Sequence, residues 1–202
     1  MKIICIGRNY ANHAKEMNSP VPKEPVFFMK PDTALFRERD FYYPSFTKDL
    51  HHEIEVVVKI CKVGKNIQPE FATNYYNEIG LGIDFTARDI QKKCKEEGLP
   101  WEKAKAFDNS ALIAQTFINK NTIDLNNLSF SLQINDHTVQ IGNTADMLFS
   151  VDQIISHVSK YITLKVGDLI YTGTPEGVGA IKIGDKLVGI LNNHKVFETN
   201  IC

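Results

Sequence analysis

Two glutamates stand two positions apart in the stretch HHEIEVVVK, residues 51–59, which alternates like a β-strand. Alternate residues of a strand share a face, so Glu53 and Glu55 lie on one face and Ile54 lies on the other. Two carboxylates about 7 Å apart on one face repel each other, and a divalent cation would relieve that repulsion. The alternative is an ordinary strand with its charged side in water, since charged residues are mostly exposed.

A third carboxylate, Asp84, follows the apolar run GLGI and precedes a segment with helical spacing. Capping of that helix is the alternative explanation, because Asp is a good N-cap residue. Two glutamates and one aspartate from strand ends would form an all-oxygen ligand set, which suits Mg²⁺ or Mn²⁺ with water and substrate in the remaining positions. His51 and His52 are candidate additional ligands that such a carboxylate-rich site does not need.

His13 and Glu16 are three residues apart in the predicted helix 9–18, for which Asn9 is a candidate N-cap. Residues at this spacing are neighbours on a helix, and a carboxylate beside an imidazole orients it and raises its basicity. A surface ion pair without a function is the alternative. The helix precedes a proline-rich loop, 19–25, as a mobile cover over a site would.

Three further residues could act on an anionic ligand. Arg88 and Gln91 are three apart on the helix predicted to begin after Asp84, whose N-terminus would favour an anion near the metal. Lys105 lies in the segment EKAKAF, where it could equally be a solvated surface lysine.

The stretch YTGTPEGVG, residues 171–179, is rich in glycine and threonine. It lacks the GK[ST] ending of a P-loop. A wide turn would explain its glycines and its proline. The functional interpretation is a nest of backbone N–H groups for a carboxylate, assisted by the hydroxyl of Thr174.

The elements that would position these residues are mostly strands. A hairpin is predicted over 128–144 with its turn at Asn135 and Asp136, and helices are predicted within 63–79, after Asp84 up to Gly98, and over 149–162. The absence of a regular βαβ rhythm predicts a sheet-rich α+β fold. We predict one domain over 1–202, whose first 45 residues or so are irregular and include the helix 9–18 as a lid.

Composition excludes several classes of function. The 202 residues carry a formal net charge of −1, which gives no basic field for nucleic acid. No apolar stretch approaches the roughly 20 residues of a membrane helix. The four cysteines have no CxxC spacing, which predicts reduced thiols in a cytoplasmic protein.

Six segments in order resemble the fumarylacetoacetate hydrolase family, in particular its short acylpyruvase and oxaloacetate-decarboxylase branch. They are GRNYANHAKEM, PVFFMKP, LHHEIEVVV, DFTARDIQ, GLPWEKAKAFD and GDLIYTGTPEGVGAIKIGD, and they span residues 7–185. The resemblance implies a β-rich α+β roll and a homodimer. It also implies metal ligands at Glu53, Glu55 and Asp84, a water-activating dyad at His13 and Glu16, and substrate contacts from Arg88, Gln91, Lys105 and Thr174.

The family's chemistry suggests cleavage of the C–C bond of a 3-acylpyruvate through a pyruvate enolate bound to Mg²⁺ or Mn²⁺. In this hypothesis His13, oriented by Glu16, activates water, Lys105 and Gln91 stabilise the developing oxyanion, and Arg88 and Thr174 hold the substrate. Decarboxylation of oxaloacetate would use the same enolate. The alternatives are an isomerase, hydratase or tautomerase of a related 2-oxo acid, and a metal-binding module without turnover.

Overall fold

A computed structural model describes residues 1–17 and 20–202. The strands are β1 (Ile3–Gly7), β2 (Val26–Lys30), β3 (Leu35–Phe36), β4 (Asp40–Phe41), β5 (Leu50–His52), β6 (Ile54–Ile60), β7 (Tyr76–Asp84), β8 (Thr86–Ala87), β9 (Ala111–Ile113), β10 (Ile118–Asn119), β11 (Ser129–Ile134), β12 (His137–Asn143), β13 (Leu169–Tyr171), β14 (Gly179–Ala180), β15 (Lys186–Leu191) and β16 (His194–Ile201). The helices are α1 (Ala11–Glu16), α2 (Pro69–Ala72), α3 (Arg88–Glu97), α4 (Glu102–Lys105) and α5 (Val151–Tyr161). Strands therefore dominate, and the sheet-rich α+β prediction is confirmed.

The largest sheet has the strand order β2-β1-β13-β6-β7-β9-β3, with β6 and β7 antiparallel near its middle. Both of its faces are covered. Ile54, Val56 and Val58 of β6 belong to the main hydrophobic core, while Val57 belongs to a second apolar cluster on the opposite face. Val57, which shares a face of β6 with Glu55, is fully buried, and Glu55 itself is 1% exposed. The interpretation of this strand as having a charged side in water is wrong.

A second sheet has the order β12-β11-β15-β16-β4, and a small third sheet joins β14, β5 and β8. The predicted hairpin is β11–β12, and its turn residues Asn135 and Asp136 have φ values of 51° and 67°. Two successive left-handed residues are what a tight hairpin turn requires. The predicted helix 149–162 is α5, which begins with a capping box between Ser150 and Gln153.

The helix expected directly after Asp84 begins later than predicted. Asp84 ends β7, and a short strand, β8, intervenes before α3 begins at Arg88 with Ala87 as its N-cap. Asp84 is therefore not a cap, and the alternative explanation of its carboxylate is wrong. The helix expected within 63–79 is also short, because α2 covers Pro69–Ala72 and β7 begins at Tyr76.

The helix predicted over 9–18 covers Ala11–Glu16, and the predicted end at Asn18 lies outside the described residues, as does Ser19 of the proline-rich loop. Tyr10, not Asn9, is the N-cap. Asn9 is fully buried: its amide donates to the carbonyls of Phe149 and Thr172, and its Oδ1 accepts from the Phe149 N–H at 2.8 Å. It ties the start of the helix to the glycine-threonine loop.

All four cysteines are free thiols, as predicted. Among the described residues, no helix combines the length and the apolar character needed to cross a membrane.

Candidate active site

The three predicted metal ligands come together because Glu53 directly precedes β6, Glu55 lies within β6, and Asp84 ends the antiparallel neighbour β7. Ile54 of β6 pairs with Ile83 of β7, and the Asp84 N–H donates to the Glu53 carbonyl at 2.9 Å. One carboxylate oxygen from each of Glu53, Glu55 and Asp84 lies within 4.8 Å of the others, and all three residues are buried. The backbone ladder thus holds three carboxylates at one end of the central strands.

Cations surround this cluster. The Lys105 ammonium lies 2.8 Å from both Glu53 Oε2 and Asp84 Oδ2, and so bridges the two acids. Arg88 Nη2 donates to Glu53 Oε1 at 2.7 Å. These contacts confirm that Lys105 is not a solvated surface lysine, since it is 3% exposed.

The two glutamates differ in their electrostatic environment. Burial opposes ionisation of Glu53, but the charges of Lys105 and Arg88 outweigh it and hold the pKa of Glu53 well below its ordinary value. Burial raises the pKa of Glu55 well above its ordinary value, and the charges of Asp84 and Glu53 raise it further. Glu55 accepts one backbone hydrogen bond, from Gly173 at 2.7 Å. A buried, all-oxygen set in which one acid lacks a cation fits a divalent metal ion.

Lys30 is a site residue that the sequence did not reveal. Its ammonium is fully buried and lies 2.8 Å from Asp84 Oδ1. It also donates to the Ser110 hydroxyl at 3.0 Å and contacts the carbonyl of Lys105. The available signal was a lysine that ends the otherwise apolar run VFFMK, because a lysine on a covered strand needs a buried partner.

The predicted dyad is formed in α1. His13 Nδ1 lies 3.1 Å from Glu16 Oε2, and Glu16 Oε1 accepts from the Gly177 N–H at 3.0 Å. A second contact, from the Asn12 amide to Glu176 at 3.1 Å, joins the same helix to the same loop. Since a carboxylate only accepts, Nδ1 carries the proton, and Nε2 of His13 is the nitrogen that can accept one.

The glycine-threonine loop binds the protein's own carboxylates. The N–H of Gly173 points at Glu55 and that of Gly177 at Glu16, so these two groups do not form the predicted nest for a ligand carboxylate. Thr174 lines the cleft, and its hydroxyl accepts from the Gln140 amide at 3.0 Å. The loop therefore positions one metal ligand and the dyad.

Gln140 is a second residue that the sequence did not reveal. Its Oε1 accepts from the Ile54 N–H at 3.1 Å and contacts His52 Nδ1 at 2.8 Å, while its amide reaches Thr174. It links the strand of the two glutamates to the loop. His52 is buried and its Nδ1 is engaged by this contact with Gln140, which supports its interpretation as a bystander.

One cleft collects nearly all of the predicted site residues. Arg88 Nη1 donates to the side-chain oxygen Oε1 of Gln91 at 2.7 Å, which places both side chains on the cleft side of α3. Glu16 does not line the cleft itself but contacts His13, which does. The predicted residues that line the cleft directly are His13, Glu53, Glu55, Asp84, Arg88, Gln91, Lys105 and Thr174.

The family profile described as "Fumarylacetoacetate (FAA) hydrolase C-terminal" matches residues 2–199. The chain belongs to the fumarylacetoacetate hydrolase family. The oxaloacetate tautomerase YcgM of Escherichia coli (strain K12) is 43% identical over 198 residues, which cover 96% of this chain and 90% of that protein. The mitochondrial oxaloacetate tautomerase FAHD1 of Mus musculus is 46% identical over 187 residues, which cover 92% of this chain and 84% of that protein.

A crystal structure of the fumarylpyruvate hydrolase from Pseudomonas aeruginosa, in complex with Mn²⁺ and pyruvate, superposes with a TM-score of 0.93 at 35% identity. The match covers 100% of this chain and 89% of that chain. It confirms the sheet-rich fold that the resemblance to the fumarylacetoacetate hydrolase family implied.

Gly173→Ala is expected to lower the free energy of unfolding of the protein by about 1–3 kcal/mol more than Gly98→Ala does. Both glycines have positive φ, 103° and 65°, so alanine costs about 1–2 kcal/mol at either position. An added Cβ would lie 2.7 Å from the Cβ of Asn9 at position 173 and would meet nothing within 4 Å at position 98. Urea denaturation of the two variants measures the difference, and equal losses would show that the loop is not closely packed.

Proposed function

We propose that this chain is a divalent-metal-dependent enzyme of small 2-oxo acids, with the keto–enol tautomerisation of oxaloacetate as its principal reaction. The observation that carries the proposal is the meeting of three buried carboxylates and the His13–Glu16 dyad in one cleft. The metal would be held by Glu53, Glu55 and Asp84, with Mg²⁺ or Mn²⁺ as the ion. The Mn²⁺ of the fumarylpyruvate hydrolase supports this choice of ion.

When bound, the ion would draw electron density from the 2-oxo group and so acidify the neighbouring carbon. The residues of the chain supply the rest. His13 Nε2 takes the proton from C3 of oxaloacetate while the 2-oxo oxygen gains a proton from solvent, and both transfers run in reverse from enol to keto; Glu16 holds the imidazole in the tautomer that can accept the proton. Lys105, an ammonium whose pKa is raised by Asp84 and Glu53 against the effect of burial, donates to the substrate oxygen that gains negative charge.

Arg88 and its neighbours fix the substrate. Its guanidinium donates to Glu53 Oε1 and to the side-chain oxygen of Gln91, which orients its remaining N–H groups for a substrate carboxylate. Thr174 provides a hydroxyl that lines the same cleft. Gln91 assists at the developing oxyanion.

Hydrolysis of 3-acylpyruvates, the reaction that the sequence motifs favoured, is the second candidate. The His13–Glu16 dyad favours it, because the same base could take a proton from water instead of from carbon. The relatives named oxaloacetate tautomerase are the more similar in sequence, and we therefore place tautomerisation first. Decarboxylation of oxaloacetate belongs to the same proposal.

Purified protein with Mg²⁺ is expected to accelerate the conversion of enol-oxaloacetate to the keto form well above the rate with Mg²⁺ alone. The measurement is the decay of enol absorbance, with pyruvate release followed in parallel. Acetylpyruvate and fumarylpyruvate are tested in the same panel. Turnover of an acylpyruvate with no effect on oxaloacetate would reverse the order of the two candidates, and no effect on any member would contradict both.

The family resemblance also supports a homodimer, and the composition supports a cytoplasmic location. We include both in the proposal. Light scattering coupled to size-exclusion chromatography measures the molar mass in solution, and the mass of a monomer would contradict the homodimer.

A further inference from the structure

The mouth of the cleft carries two cations that the proposed reaction does not use. Arg8 follows β1 directly, is half-buried and has a left-handed φ of 60°, which is uncommon for a residue with a side chain. Lys95 lies four residues after Gln91 and seven after Arg88, on the same face of α3. Both line the cleft together with Phe28 and Trp101.

Within the described part of the chain, Arg8 and Lys95 have no ion pair, whereas Lys92 and Lys93 of the same helix pair with Glu96 and Glu97. The Lys95 ammonium lies 5.4 Å from the centroid of the Trp101 ring, which keeps it at the mouth. Burial lowers the pKa of Lys95, and the nearby charges of Arg88 and Arg8 lower it further.

The charge balance of the inner site shows that Arg8 and Lys95 give the cleft an excess of positive charge. Three cations, Lys30, Lys105 and Arg88, already pair with two of the candidate metal ligands, Asp84 and Glu53, so their number equals that of the three carboxyl groups. A divalent ion adds two positive charges, and Arg8 and Lys95 add two more at the mouth. The ligand that enters this field would therefore carry more than one negative charge.

We propose that Arg8 and Lys95 form a subsite for a second carboxylate, so that the cleft selects 2-oxo acids with an anionic group at the far end of the molecule. The inference rests on the proposed function, because the inner site must bind the end of the substrate that carries the 2-oxo group and its carboxylate. The outer carboxylate then reaches the mouth, where the two cationic side chains can each donate hydrogen bonds to it.

The test is a binding measurement that requires no turnover. Calorimetry on the Mg²⁺-loaded protein compares 2-oxoglutarate with 2-oxopentanoate, which share five carbons and differ in having a distal carboxylate or a methyl group. The pair 2-oxoadipate and 2-oxohexanoate repeats the comparison with one more methylene. We expect the diacid of at least one pair to bind about tenfold more tightly or better, as charge-assisted hydrogen bonds do.

The double variant Arg8→Gln/Lys95→Gln is expected to lose about tenfold in affinity for the diacid and less than about twofold for the monoacid. Lys95→Gln alone, at an exposed helix position, is expected to give a partial loss without a change of fold. The matched control is Lys92→Gln, which removes the same charge from the same helix outside the cleft and should leave the ratio unchanged.

Three results would overturn the subsite. They are equal binding of diacid and monoacid by the unmodified protein, an equal loss of both ligands in the double variant, and the same loss in the control. Failure of the proposed function would give a different result. The protein would then catalyse neither enolisation nor hydrolysis, whether or not it binds diacids more tightly than monoacids.

Discussion

Glu55→Gln is expected to remove metal binding and to lower Mg²⁺-dependent turnover by at least about 10³-fold. A Lewis-acidic metal supplies several kcal/mol, and each 1.4 kcal/mol or so is a factor of ten. The metal-free fold should hold, because Gln has the shape of a protonated Glu and its carbonyl can keep the Gly173 hydrogen bond. Burial and the nearby acids already raise the pKa of Glu55, and this favours the neutral form that Gln resembles.

The measurement is the melting temperature with and without Mg²⁺. An ion at about 100 times its Kd stabilises a folded protein by roughly 2.7 kcal/mol, which raises Tm by roughly 5–10 °C in a chain of this size. We expect this rise in the unmodified protein and none in Glu55→Gln. An unchanged Mg²⁺-induced rise in the variant would refute the three-carboxylate site.

Glu53→Gln is the matched comparison. It should also lose the metal, but it breaks ion pairs with Lys105 and Arg88 at 2.8 and 2.7 Å. Removal of one partner from a buried ion pair costs about 3–5 kcal/mol. The metal-free Tm should therefore fall in Glu53→Gln and not in Glu55→Gln, which separates the loss of a ligand from the loss of the fold.

His13→Ala is expected to slow oxaloacetate tautomerisation and acylpyruvate hydrolysis by about 10²–10⁴-fold, the usual contribution of a general base. Both reactions need a proton taken from carbon or from water. Metal-dependent decarboxylation of oxaloacetate, in which carbon dioxide leaves without a base, should change only a few-fold. The three rates are measured on one protein preparation with the non-enzymatic rates subtracted.

The control for His13 is its effect on the metal site, which should be small, because His13 is not a candidate ligand. The Mg²⁺-induced rise in Tm should therefore be retained in His13→Ala. Glu16→Gln should give a smaller loss of the same two reactions, because it weakens the orientation of the imidazole without removing it. Equal loss of all three activities in His13→Ala would reject its role as the base.

The sequence reveals features that depend on local spacing. The spacing of two predicts that Glu53 and Glu55 share a face, and both carboxylates do reach one cluster although Glu53 lies just before β6. The HxxE spacing brings His13 Nδ1 to 3.1 Å from Glu16 Oε2 within α1. The turn at Asn135 and Asp136 follows from residues that tolerate positive φ. These features need no knowledge of distant partners, because a strand or helix fixes the direction of each side chain from its own backbone.

The sequence interpretation failed where distant parts of the chain meet. The alternation of the strand left a solvated face as an alternative for Glu55, because the apolar cluster that covers this face comes from distant strands. The helix expected after Asp84 begins late because β8 pairs with β5, a partner from elsewhere in the chain. Asn9, a good local cap, instead binds residues more than one hundred positions away.

The sequence by itself therefore determined the family, the three acids, the dyad and half of the residues that line the cleft. Only the tertiary structure decided how their charges are balanced: Lys30 on Asp84, Lys105 between two acids, and Gln140 between the strand and the loop. The physical reason is that a buried charge is stabilised by whichever group lies within about 3 Å of it. That group is chosen by the packing of strands far apart in the chain, and no local pattern records it.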